Sequence, residues 1–232
     1  MNLKGHRKIT ERAIEKLEAM LGQNRTQHVR PQLYGPRPGS NTGPRRQHHR
    51  PNDEVGPAYY AVQRDLIDVV TFNHWRDSGQ RHHFMRPERQ SSRQAYQASI
   101  QWIETNLQAY AAAVAREQGK RKLQSLGNAL HAIEDSFSRS HVTRSPFAAG
   151  NPGAIEELHV YSGQDHDEHS RHDEEWGRET WILELAADAC AEAVRMVLDE
   201  TTRAGTRFAG LRGFVTYRER WLKASPRLSR MA

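Results

Sequence analysis

The segment from His131 to His141 contains three side chains that can bind a metal ion, and their spacing is regular. His131 and Asp135 are four residues apart, and on an α-helix this spacing places both side chains on one face, about one turn apart. An imidazole nitrogen and a carboxylate oxygen are suitable zinc donors at about 2.0–2.2 Å. His141 follows where the helix should end, so it can turn back towards a neighbouring ion. The spacing therefore predicts that one helix supplies two ligands of one metal ion.

A second pair with the same spacing occurs further along the chain. His169 and Asp173 are four residues apart, at the start of the last long predicted helix. Two His-x3-Asp pairs on different helices are what a multinuclear site needs, because each ion must draw ligands from several elements. A single pair of this kind is more often a surface salt bridge, and His166, His169 and His172 could equally belong to a solvated loop.

Two further parts of the chain offer ligands. His83 precedes an aromatic residue, Phe84, and it follows Asp65 and Asp68 by eighteen and fifteen residues. His6 lies just before the first predicted helix. Taken separately, each of these residues also has an ordinary structural interpretation. The occurrence of all of them in this order is what indicates a metal centre.

Most of the chain around these ligands shows the periodicity of apolar residues that is typical of α-helices. Apolar residues at intervals of three and four predict helices at residues 9–21, 57–72, about 120–138, about 172–203 and about 208–223, and a long one from Tyr96 to Val114. The core face of the first helix is predicted to consist of Ile9, Ala13, Leu17 and Met20. No stretch alternates long enough to predict a strand, and residues 142–168 have the composition of a loop. The predicted fold class is all-α, a single-domain helical bundle.

The length and charge of the chain restrict its organisation and its partners. The 232 residues suffice for one domain with a hydrophobic core. Periodicity disappears at about residues 23–56, where Arg, Pro, Gly, Asn and His dominate, and this composition predicts a flexible basic insertion. The formal net charge of +6 suits anionic partners such as nucleic acid or a phospholipid surface. Arginine-rich surfaces also occur in proteins without such partners, so charge alone does not decide.

The single cysteine limits the available chemistry. Cys190 has no partner for an internal disulfide and cannot build a cysteine-based zinc site, so any metal must be bound by histidine and carboxylate. Its apolar surroundings at residues 186–197 indicate a buried, inert thiol. The first six residues contain no apolar signal core, and no stretch is predicted to span a membrane. We therefore expect a protein made in the cytoplasm, for which export would need a dedicated secretion system.

The order and spacing of the ligand residues resemble the superfamily of zinc-dependent phospholipases C and single-strand nucleases. The pattern of that family is matched here by His6, Asp68 or Asp65, His83 followed by Phe84, His131-x3-Asp135-x5-His141, and His169-x3-Asp173. The resemblance covers nearly the whole chain apart from the insertion at 23–56. The chain departs from the family pattern at two positions and therefore resembles a distant member. It begins with Met1 where the family usually has tryptophan, and Arg139 stands where the family tends to have proline.

The resemblance implies an all-α fold with a trinuclear, or dinuclear, zinc cleft. One ion would be bound by Asp68, His83, His131 and a bridging Asp135. A second ion would be bound by His141, His169 and Asp173. A third would be bound by His6, Asp135 and the amino terminus of Met1, and it depends on that amine being available.

The activity implied by the resemblance is zinc-dependent hydrolysis of phosphodiesters. Asp135 would act through the metal ions that it bridges, Asp65 is the candidate base if it is not a ligand, and Trp75 and Phe84 are candidates to line the substrate cleft. We expect cleavage of phospholipid head groups in the manner of a phospholipase C, and a toxin or effector role would fit both the basic charge and the N-terminus. The alternatives are a single-strand nuclease of the same superfamily and a non-catalytic basic protein that binds nucleic acid, which would bind in a salt-dependent way whether or not metal is present.

Overall fold

The computed structural model describes residues 3–21, 77–116, 123–162, 164, 166–204 and 207–230. The helix predicted at 57–72 and the insertion predicted at 23–56 lie outside these residues. The described chain forms α1 (Leu3–Leu21), α2 (Ser92–Val114), α3 (Leu123–Asp135), α4 (His166–Asp173), α5 (Thr180–Ala204), α6 (Phe214–Trp221) and α7 (Pro226–Arg230). It also forms two 3-10 helices, Asp77–His83 and Glu175–Gly177, and two strands, β1 (Val142–Ser145) and β2 (Ala154–Leu158). The fold is mostly helical, as the sequence predicts.

The hydrophobic core lies between α1, α2, α3 and α5. α1 packs along α5, and α2 packs against both α3 and α5. The buried stripes at helical spacing are Ile100, Ile103, Leu107 and Tyr110 on α2, Leu126, Leu130 and Ile133 on α3, and Ile182, Leu185, Ala189 and Ala193 on α5. Burial of one large aliphatic side chain contributes about 1.5–3 kcal/mol, so these faces determine how the helices pack. None of the helices in the described residues combines the length and the apolar character needed to cross a lipid bilayer.

The first helix begins earlier than predicted. α1 starts at Leu3, so His6 lies within the helix and not in front of it. Gly5 has a low helix propensity, and basic residues are unfavourable at a helix N-terminus, which is why the periodicity alone predicts a later start. Burial of Gly5 and His6 outweighs both effects. Met20, predicted on the core face, is 49% exposed, and the buried face includes Ile14 instead.

A capping box fixes the start of α2. The Ser91 hydroxyl accepts a hydrogen bond from the Gln94 amide, and the Gln94 side chain accepts one from the Ser91 amide. These bonds satisfy two backbone donors that no helical carbonyl can reach. The helix therefore begins four residues before Tyr96, the first apolar residue of the predicted stripe.

A two-stranded sheet corrects the prediction that residues 142–168 form only a loop. β1 and β2 are antiparallel, with Val142 opposite Leu158 and Ser145 opposite Ala154. The strands have four and five residues, too short for a clear alternation. Contacts distant in sequence hold them, because Ile155 donates a hydrogen bond to the carbonyl of Lys223 at 2.8 Å.

Arg144 of β1 ties this sheet to the end of α3 and to the C-terminal helices. Its guanidinium is buried and donates to the carbonyls of Ser136 (2.8 Å), Pro152 (3.0 Å) and Trp221 (3.0 Å). It also lies over the ring of Phe137, 4.4 Å from its centroid. One side chain thus connects three segments of backbone, and the first of them begins directly after Asp135, the last residue of α3.

The helix predicted at about 172–203 is divided into separate elements. α4 ends at Asp173, the 3-10 helix Glu175–Gly177 follows, and α5 begins only at Thr180. Gly177 interrupts the pattern because glycine is a poor helix former. The segment predicted at 208–223 is likewise shorter, since only 214–221 are helical, and α7 was not predicted.

Candidate metal centre

The C-terminal turn of α3 presents the central pair of the site. His131 and Asp135 are fully buried and project from the same face, as their spacing of four residues requires. His131 Nε2 lies 3.1 Å from Asp135 Oδ2. α3 ends at Asp135, and the chain then turns, so that both side chains lie at the end of the helix and not in its middle.

His83 completes a triangle of polar atoms with this pair. It is the last residue of the 3-10 helix Asp77–His83, and its Nδ1 lies 3.0 Å from Asp135 Oδ2 and 3.0 Å from His131 Nε2. Hydrogen bonds alone do not satisfy all three contacts. If both ring nitrogens carry protons, the two N–H groups face each other; if one does not, its lone pair faces the carboxylate. A cation between the three atoms satisfies all of them.

The other oxygen of the same carboxylate faces different imidazoles. His6 of α1 places Nε2 3.2 Å from Asp135 Oδ1, and its ring stacks on that of His131 with centroids 4.5 Å apart. His141 Nδ1 lies 3.6 Å from the same oxygen. Asp135 therefore lies between two groups of imidazole rings, one at each oxygen.

These separations fit a metal ion. His6, His131 and Asp135 are buried and their ligand atoms all lie within 4.8 Å of one another, so this group can hold an ion. Donor atoms that share one ion at about 2.0–2.2 Å are about 2.8–3.6 Å apart, and the contacts of both Asp135 oxygens fall in that range. His83 offers a further donor at Oδ2. Imidazole and carboxylate donors suit zinc among the transition metals.

Burial and mutual charge set the protonation of the cluster. Burial alone would raise the pKa of Asp135, but the imidazoles of His141, His131 and His6 hold it well below its usual range. Burial lowers the pKa of His83 to about 4, and it lowers the pKa of His131 as well. Two imidazoles at Oδ2 are therefore neutral at physiological pH, which is the form that binds metal.

His141 and His169 lie beside the cluster with one ring nitrogen already bonded. His141 Nδ1 donates to the carbonyl of His83 at 2.8 Å, so a metal ion would be bound through Nε2. His169 Nδ1 pairs with Gln164 Oε1 at 2.5 Å, and Gln164 is itself held by the carbonyl of Ser140. The two imidazole rings have centroids 5.4 Å apart. His169 lies on the short helix α4, not at the start of the last long helix as predicted.

The remaining residues predicted from the sequence, apart from Phe84, are ones whose side chains lie outside the described part of the structure. Asp65, Asp68 and Trp75 lie outside the described residues, and so does the side chain of Asp173. Phe84, predicted to line a substrate cleft, is fully buried, and its ring packs in the core 6.2 Å from that of Tyr96. Its position follows from the backbone, because a positive φ of 55° at Phe84 turns the chain directly after His83.

Three polar residues at the site were missed by the sequence analysis. Glu134 contacts the ring of His6 and accepts a hydrogen bond from Thr10, and Gln164 contacts His169. Glu134 could have been found, because it lies four residues after Leu130 and is therefore on the buried face of α3. A charged residue on such a face needs a partner. Gln164 lies in an irregular segment, and no spacing identifies it.

Comparison of the chain with protein-family models, with curated proteins and with solved structures gave no match. The geometry of the centre and the spacing of its ligands are therefore the indications of function that the chain offers.

Proposed function

We propose that the protein is a zinc-dependent phosphodiester hydrolase that cleaves phospholipid head groups in the manner of a phospholipase C. The observation that carries the proposal is the carboxylate of Asp135, which is fully buried and has imidazole nitrogens within 3.0–3.2 Å of each oxygen. A carboxylate in this position can bridge two cations, one at Oδ1 and one at Oδ2.

The bonds made by the outer ring nitrogens support a metal centre over a purely structural network. Histidines that bind metal usually donate their other N–H to a carboxylate, a carbonyl or a water molecule. His6 pairs with Glu134 in this way, His141 with the carbonyl of His83, and His169 with Gln164. In each case the bonded atom is Nδ1, so a metal ion would be bound through Nε2.

The residues of the chain would act by binding, orienting and excluding water. His83 and His131 would bind an ion at Asp135 Oδ2, and His6 would bind one at Oδ1. Divalent ions bound there would lower the pKa of water from about 15.7 towards 7 and neutralise the charge that develops on a phosphodiester. The chain then needs no serine or cysteine nucleophile, which agrees with the buried and inert position of Cys190.

The proposed substrate class rests on the resemblance of the ligand spacing to zinc-dependent phospholipases C, because charge does not separate the candidate substrates. The net charge of +6 favours approach to an anionic surface and to nucleic acid alike. Single-strand nucleases also need aromatic platforms for base stacking beside the metal. Phe84, which was predicted to line the substrate cleft, is buried and therefore cannot be such a platform.

The test is the variant Asp135→Asn with Asp188→Asn as its matched control. Asp135→Asn keeps the size of the side chain but removes the charge that would bridge two cations. Asp188 lies on α5, is partly exposed and pairs with Lys16, so its variant should behave as wild type. Each protein is assayed on phosphatidylcholine micelles, single-stranded DNA and RNA, with and without chelator.

We expect chelator-sensitive release of a phosphorylated head group that Asp135→Asn lowers by several orders of magnitude. Chelator-sensitive release of nucleotides would instead assign the protein to the nuclease alternative. A third outcome is tight nucleic-acid binding that neither chelator nor either substitution changes, with no turnover of any substrate. That outcome would leave only the binding-protein alternative.

A further inference from the structure

A second carboxylate of α3 follows next to Asp135 in the chain, and it is bonded to two residues of α1. Glu134 is fully buried, and its Oε2 lies 2.5 Å from Nδ1 of His6. Its Oε1 accepts a hydrogen bond from the hydroxyl of Thr10 at 2.8 Å. His6 and Thr10 are one turn apart on α1, so both oxygens of Glu134 are held by the same face of that helix.

The contact with Glu134 determines which nitrogen of His6 carries the proton. A neutral imidazole has one N–H donor and one lone pair. A carboxylate accepts, so the proton of neutral His6 is on Nδ1 and the lone pair is on Nε2. That Nε2 is the atom 3.2 Å from Asp135 Oδ1, where a cation is expected.

We propose that Glu134 is a positioning residue that fixes the tautomer and the orientation of His6 and thereby sets the affinity of the ion at Asp135 Oδ1. Thr10 contributes by preventing rotation of the Glu134 carboxylate. The inference rests on the proposed metal centre, but it concerns a residue that binds no ion itself. It also assigns α1 a role in metal affinity, because both partners of Glu134 belong to that helix.

A packing role alone does not account for this arrangement. Glu134 occupies the buried face of α3 that also carries Leu126 and Leu130, where an apolar side chain would avoid the cost of desolvation. The carboxylate is directed at a single ring nitrogen and is braced on its other oxygen. Partners of this kind typically change metal affinity by about 10–100-fold when they are removed.

The test compares Glu134→Gln with wild type by zinc titration of the full-length protein against a chromophoric chelator. The amide of glutamine can donate to Nδ1, which favours the tautomer with the proton on Nε2 and blocks the ligand atom. We expect the affinity of one zinc ion to fall by about 10–100-fold while the ion at His83 and His131 keeps its affinity. Thr10→Val should give a smaller loss at the same ion. Glu192→Gln is the matched control, since Glu192 is likewise a helical carboxylate that accepts a side-chain hydrogen bond, from Trp221, but it is only partly buried.

The outcomes separate this inference from the proposed function. Wild-type protein that binds no zinc would overturn both. Wild-type protein that binds two or more ions, with Glu134→Gln equal to it at each ion, would overturn the role of Glu134 alone. If Glu134→Gln does not fold, nitrogen-15 NMR of the zinc-loaded wild type decides: we expect the His6 proton on Nδ1, and a proton on Nε2 would show the inference to be wrong.

Discussion

A buried aspartate that faces imidazoles on both sides can be stable through protonated imidazoles or through bound cations. At Asp135 the two oxygens differ in this respect. The carboxylates beside His6 more than offset its burial and raise its pKa to about 9, so in metal-free protein this ring is charged and pairs with Oδ1. Burial keeps His83 neutral at the other oxygen, with a pKa of about 4. The group at Oδ2 is therefore prepared for an ion, whereas binding at Oδ1 must displace a proton from His6.

The thiol of Cys190 gives a prediction at the same scale. Burial raises its pKa well above the usual range, so the thiolate does not form in the folded protein. We expect no reaction with a thiol reagent at pH 8 in native protein and one reactive thiol per chain after denaturation. Because the folded pKa is raised, the contribution to stability is complete below the unfolded pKa of 9.0 and is lost as the pH rises beyond it.

A reagent such as a chromogenic disulfide measures both states directly. Rapid modification of native protein, with loss of the proposed phosphodiesterase activity, would contradict the inert role and would require a cysteine in the mechanism.

At the scale of elements, Arg144 determines whether the β1–β2 sheet stays attached to the end of α3. Replacing it with lysine keeps the charge but removes the planar set of donors that serves Ser136, Pro152 and Trp221. Because buried carbonyls would lose their partners, we expect Arg144→Lys to lower the free energy of unfolding by about 2–4 kcal/mol in chemical denaturation.

Arg220→Lys provides the control for this prediction. Arg220 is 61% exposed and pairs with Glu192, so we expect a change of less than about 0.5 kcal/mol. Equal losses in the two variants would mean that the buried hydrogen bonds of Arg144 contribute little.

The elements that could be predicted from the sequence are those whose residues show a regular apolar pattern within one continuous segment. The stripe from Ile100 to Tyr110 defines α2 because each turn buries an apolar residue. The sheet lacks such a signal, since its strands depend on Arg144 and on backbone bonds to residues near 223. The start of α1 could not be predicted for the same reason. Its first turns are stabilised by Glu134, which lies 128 positions from His6 in the chain.

The same distinction applies to the site. The spacing of His131 and Asp135 on one helix is a local pattern, and it predicts their proximity from the geometry of the helix alone. The pairing of His6 with Glu134, and of His169 with Gln164, depends on how separate elements pack. A sequence does not display these contacts, although a glutamate on a buried helix face indicates that a partner exists.

At the scale of the whole molecule, metal content tests directly whether the protein has the proposed metal centre. Protein purified without chelator should contain at least two zinc equivalents per chain by elemental analysis. Ions that bind the folded chain and not the unfolded one stabilise it by about 2.7 kcal/mol when the free metal is at 100 times its Kd. We therefore expect chelation to lower the Tm and zinc to restore it, while magnesium should not. Protein that carries no divalent metal and keeps its Tm in chelator would contradict the metal centre.

The residues of the centre lie far apart in the sequence, and this separation affects the conformational entropy of the unfolded chain. His6 and Asp135 are 129 residues apart (135 − 6), and His83 and Asp135 are 52 apart, so ions bound as proposed would close two large loops of polypeptide at Asp135. Such ions would act as cross-links in a chain whose single cysteine cannot form an internal disulfide. Closing a loop of about 100 residues with a covalent link is worth about 4.7 kcal/mol in the chain-entropy account. Because that entropy varies only with the logarithm of loop length, doubling the chain between two ligands would cost about 0.6 kcal/mol. The connecting segments can therefore lengthen or shorten in evolution far more freely than the few residues that meet at Asp135 can change.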